Sequence, residues 1–97
     1  MTPAARVAAA ADILDLIIDG TAAEKSLTTW GRKNRYAGSK DRAAIRDHVF
    51  QAMRSFRSYA ALGGAADAPT GRALMIGALR SEGQDPETMF TGVGYAP

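Results

Sequence analysis

The chain has 97 residues, enough for one domain with a modest core, and its 46% apolar content argues against overall disorder. It contains no cysteine, which excludes disulfides, thiolate metal ligands and a cysteine nucleophile and fits a reducing, cytoplasmic setting. The net charge of +2 hides a split: between Trp30 and Ala60 eight basic residues face only Asp41 and Asp47, a local +6, while the remainder has four against eight, or −4. Such a split predicts a polyanionic partner for the middle segment, with a merely solvated basic face as the alternative.

The longest apolar stretch, Val7 to Ile18, is interrupted by Asp12 and Asp15 and falls short of the roughly 20 apolar residues that span a bilayer. Neither a membrane partner nor a signal peptide is expected.

Thr2 followed by Pro3 reads as a helix cap with proline in the first position. Val7, Ala10, Ala11, Leu14, Ile17 and Ile18 then recur at helical spacing, and Gly20 supplies a left-handed stop, giving a first helix over about residues 3–19. Thr21 and Glu24 fit a capping box opening a second helix, with Leu27 and Trp30 toward the core. Gly31 weakens that helix, and Arg32-Lys33-Asn34-Arg35 reads as its basic, fraying end. Ser39 as cap and Asp41 in the first turn start a third helix, uninterrupted by proline or glycine as far as Leu62. Its core stripe is Ile45, Val49, Ala52, Phe56 and Ala60. After Gly63-Gly64 and a small-residue loop, a fourth helix runs from near Thr70 to Glu82. Gly71 and Gly77 inside it cost about 1 kcal/mol each against alanine, which makes sense where another helix packs close. Asp85-Pro86-Glu87 opens a short fifth helix ending near Phe90, and residues 91–97 read as extended.

No catalytic constellation is visible. His48, the single histidine, reads as a surface or boundary residue of the third helix, and its neighbour Asp47 points elsewhere. The serines lack a triad partner set, and Asp12, Asp15 and Asp19 form a stripe that reads as a solvated face. No metal-site spacing or phosphate-binding glycine loop is present, Gly92-Val93-Gly94 being only a fragment of one. The fragment is therefore not expected to be a catalyst alone.

The third helix carries more. At 100° per residue, Arg46, Phe50, Arg54 and Arg57 fall at about 100°, 140°, 180° and 120° from Ile45, one stripe beside the core face. Guanidiniums can grip phosphates in bidentate fashion, and an interleaved aromatic can stack on an unpaired base, the minimal footprint of single-stranded RNA binding. Phe50 equally suits burial against a neighbouring helix. Arg42, near the helix start on the core side, suits either a ligand contact or an ion pair that pins the preceding loop.

Ser39-Lys40-Asp41-Arg42 with Ile45, Arg46, Asp47, Val49, Phe50, Met53 and Arg54 resembles the central pattern of NusB-like domains. With Pro3-Ala4-Ala5-Arg6, Leu27-Thr28-Thr29-Trp30 and Thr70-Gly71-Arg72-Ala73-Leu74-Met75, the whole chain is similar to the N-terminal region of Fmu/Sun-type ribosomal RNA cytosine-5 methyltransferases. The resemblance implies an all-α NusB-like bundle of about five helices over residues 1–91, with 92–97 starting a linker to a following methyltransferase domain. It implies ribosomal RNA as partner, and S-adenosylmethionine and two catalytic cysteines in that following domain. The RNA face it implies is Arg42, Arg46 and Arg54 with the loop Arg32, Lys33 and Arg35. Lys40, Phe50 and Arg57 complete the site expected from the residues. The alternative is a free-standing antitermination factor of the same fold, with Ile13, Leu16 or Phe90 exposed to a protein partner.

Overall fold

The computed structural model describes residues 1–90, and every regular element among them is helical. The expectations for Thr91 to Pro97, including the domain boundary and linker, lie outside the described residues. Helix α1 (Pro3–Ile18) starts as its sequence predicts: the Thr2 hydroxyl accepts from the Ala5 N–H at 3.0 Å, and Pro3 takes the first position. Gly20, at φ +109°, turns the chain after Asp19. Helix α2 (Ala23–Lys33) begins at Ala22 rather than Thr21, without a side-chain cap, so the predicted capping box does not form.

The predicted third helix is two. Helix α3 (Ser39–Arg54) ends at Ser55, whose φ of −113° and ψ of 28° leave the helical region, and α4 (Phe56–Leu62) resumes at once. The reason is tertiary. Ile45, Val49 and Ala52 bury against α1, whereas α4 must lie directly on α5 (Gly71–Ser81), and one straight rod cannot satisfy both. The cap of α3 is Gly38 rather than Ser39, with the Asp41 carboxylate accepting from the Gly38 N–H at 3.2 Å. After α5 the predicted short helix is a single 3-10 turn, Pro86–Thr88, capped by Asp85, whose side chain accepts from the Glu87 N–H.

The core gathers Val7, Ala10, Ile13 and Leu14 of α1, Ile45 and Val49 of α3, and Leu74, Met75 and Leu79 of α5. The glycines of α5 explain how the helices come so near. A Cβ on Gly71 would sit 1.8 Å from the Ala11 carbonyl oxygen, and one on Gly77 would sit 1.9 Å from that of Tyr59. Gly63 meets the Ala73 carbonyl in the same way, at 1.9 Å. Helices α1, α4 and α5 thus touch backbone to backbone, and only hydrogen fits at those three positions. Asp15 strengthens the seam: its carboxylate accepts from the Gly71 N–H at 2.7 Å, capping α5 from α1. The acidic stripe is therefore not wholly a solvated face. No helix among the described residues is long and apolar enough to cross a membrane.

Candidate nucleic-acid interface

The opposite side of the bundle is looser. Helices α2 and α3 both lie against α1, and a groove of about 270 Å³ separates them, lined by Glu24, Leu27, Trp30, Arg42, Ile45 and Arg46 among others. Ser26 is fully buried, which lets α2 sit close, and its hydroxyl donates to the Ala22 carbonyl at 2.9 Å. Two arginines bridge the groove. Arg42 donates from Nε to the Ala37 carbonyl at 3.0 Å and from Nη2 to the Gly31 carbonyl at 3.2 Å. It thereby satisfies an end carbonyl of α2 and favours the negative pole of that helix. Gly31 makes the room, since a Cβ there would lie 2.6 Å from Arg42 Nη1. Arg42 does pin the loop, but through carbonyls and not an acid, so its positive charge stays uncompensated.

Arg46 pairs with Glu24 across the groove, its Nη1 donating to Oε2 at 3.1 Å and its Nη2 to Oε1. That hydrogen bond holds the Glu24 carboxyl below the usual carboxylate range. The same guanidinium lies 4.9 Å from the centre of the Phe50 ring. Two members of the predicted arginine–aromatic stripe are thus engaged with the protein itself, although the ion pair is exposed. Arg54 is exposed at the end of α3 and donates to the Gln51 side chain at 2.8 Å. Arg57 is exposed too, but it lies beyond the break at Ser55, so the angular stripe that assumed one continuous helix does not reach it.

What the structure brings together is the corner where α2 ends and α3 begins. Arg32, Lys33, Arg35, Lys40 and Arg42 lie within eleven consecutive positions, and the first four side chains are exposed. Arg32, Arg35 and Arg42 line one open hollow of about 520 Å³ with Thr28 and Gly31. The only acid of the segment, Asp41, is already occupied. Arg6 of α1 donates to its Oδ1 from Nε at 2.9 Å and approaches with Nη2 at 2.8 Å. That hydrogen bond holds the Asp41 carboxyl below its ordinary value. The corner therefore presents five cations with no available counter-ion among the described residues.

Sequence reasoning missed the aromatic that belongs to this corner. Tyr36, next to Arg35, is 72% exposed, the most open of the large hydrophobic side chains among the described residues, while Phe50 is half-buried beneath Arg46. Its position within the basic run Arg32–Lys40 was the available signal.

His48 is half-buried in the middle of α3, between core and surface, and burial pushes its imidazole below the ordinary range. The apolar partner patch of the alternative reading is broken up. Ile13 is fully buried, and Phe90 is half-buried with the Arg72 guanidinium 4.7 Å from its ring centre, leaving Leu16 alone of the three exposed.

Fold and site together define a small all-helical bundle with one cationic corner. Compared with known proteins, the chain matches no family model, no curated protein and no solved structure.

Proposed function

We propose that this chain is an RNA-contacting accessory domain that positions ribosomal RNA for an S-adenosylmethionine-dependent cytosine-5 methyltransferase domain. The observation that supports RNA contact is the uncompensated corner: five cations on the α2–α3 junction, whose one acid is neutralised by Arg6. Phosphate contacts of this kind supply affinity and orientation without reading sequence, which suits a domain that holds a substrate for another to modify. The methyltransferase setting is supported by the resemblance of the α3 segment and its flanks.

The phosphate site is centred on Arg32, Lys33, Arg35, Lys40 and Arg42 and not on the Arg46–Arg57 stripe. Two triple variants separate the alternatives by fluorescence anisotropy with a labelled single-stranded RNA. Replacing Arg32, Lys33 and Arg35 with alanine lowers affinity at least tenfold at low salt, whereas replacing Arg46, Arg54 and Arg57 costs markedly less. Equal affinity of the corner variant and wild type refutes the assignment.

A further inference from the structure

A second hollow lies on the other side of the basic loop, between α1 and the end of α2. Its mouth, about 310 Å³, is lined by Met1, Thr2, Ala5 and Tyr36. An inner recess of about 110 Å³ continues between Ala8, Ala9 and Asp12 of α1 and Trp30, Asn34 and Tyr36. The mouth alone reaches the lower end of the about 300–1,000 Å³ typical of small-molecule clefts.

Its chemistry is specific. Two aromatics, Tyr36 and Trp30, and a floor of alanines suit a flat heterocycle. Besides the hydroxyls of Thr2 and Tyr36, the Trp30 indole and Met1, two acceptors face it, Asn34 and Asp12. Asn34 donates its Nδ2 to the Trp30 carbonyl at 2.8 Å, which fixes the amide and leaves Oδ1 available. Asp12 makes no side-chain hydrogen bond and no salt bridge among the described residues. Partial desolvation and the neighbouring Asp15 raise its carboxyl above the ordinary value. A carboxylate and an amide oxygen together suit a base edge rich in N–H groups. Guanine presents two adjacent ones, N1–H and the N2 amino group, which a carboxylate accepts together. Adenine and uracil offer no such pair.

We propose that this hollow takes one unpaired guanine of the RNA strand, stacked on Tyr36, with its N1–H and N2 amino edge turned to the Asp12 carboxylate and the Asn34 side-chain oxygen. This rests on the RNA-contacting reading. Arg35 lines the cationic hollow and Tyr36, the next residue, lines the base site, so a strand whose phosphates lie on the first can place a base in the second.

Trp30 is the sole tryptophan and lines the recess, so its emission reports occupancy. The full chain is titrated with guanosine, adenosine, cytidine and uridine 5′-monophosphates and with inorganic phosphate. The expected result is a saturable change with the guanosine nucleotide at a concentration about fivefold or more below the others. Asp12→Asn removes that preference, Tyr36→Ala weakens all four nucleotides, and Tyr36→Phe restores binding. Asp12 and Tyr36 are both exposed, so the variants keep the fold. Equal responses to guanosine and adenosine nucleotides, or an undiminished response in Tyr36→Ala, overturn the base site. An oligouridine strand separates the two readings. If it binds with salt dependence while no base preference is found, the base site falls and the cationic corner stands. If no RNA binds, both fall.

Discussion

The two sides of this bundle are built on opposite principles. Along the seam of α1, α4 and α5, backbones meet directly: Gly71 on Ala11, Gly77 on Tyr59 and Gly63 on Ala73 leave no room for a methyl group. Between α2 and α3 the helices stand apart, and long cationic side chains cross or border the gap. The seam is a packing device with little surface chemistry. The open side has few backbone contacts to protect and carries the charge. A change at the seam should therefore act on stability alone, and a change at the corner should act on binding with the fold kept.

The largest effect tests the seam. Helix propensity alone says that Gly77→Ala stabilises by about 1 kcal/mol. The close approach of Tyr59 reverses the sign, since overpacking against backbone costs about 1–3 kcal/mol or more. Urea denaturation decides between the two, and stabilisation would break the seam account. A smaller loss is expected from Asp15→Ala, which removes the cap on the Gly71 N–H and costs about 1 kcal/mol, while Asp15→Asn retains an acceptor and most of the stability.

Acidification gives a third effect, smaller still. Burial holds the folded His48 imidazole below its ordinary 6.5, so the unfolded chain binds its proton more readily. Stability from this group is complete above pH 6.5 and declines as the pH falls through the folded value. His48→Gln should flatten the profile in that window, as read by thermal denaturation from pH 7.5 downward. An unchanged slope would place the histidine in water.

The smallest expected effect sharpens the boundary of the corner. Glu24→Gln releases Arg46 from its exposed ion pair, which leaves the melting temperature nearly unchanged and strengthens RNA binding at low salt. A loss of affinity would show that Glu24 positions Arg46 for the ligand.

How far these two regions could be read from sequence differs for the same physical reason. The seam was legible because its signals are local. Thr2-Pro3, Gly20 and Asp85-Pro86 act as caps within a few residues, and glycines inside an apolar helix announce a close neighbour. The break at Ser55 carries no such mark, being imposed by what α3 and α4 each pack against. The open side depends on pairs far apart in the chain. Glu24 meets Arg46 across 22 positions and Arg6 meets Asp41 across 35, and periodicity within one helix registers neither. Counting charges located the basic segment, but which cations remain uncompensated is a tertiary property. Tyr36 was hidden likewise, because exposure of a loop aromatic follows from how the start of α1 packs beside it.

The salt dependence of RNA binding tests the central claim most directly. For a single strand, the slope of log K against log salt scales as about −0.7 per phosphate neutralised, so replacing Arg32, Lys33 and Arg35 together should reduce it by about 2. The Arg46/Arg54/Arg57 replacement should reduce it by clearly less. Identical slopes for wild type and the corner variant, or a larger reduction from the helix-face variant, would contradict the account.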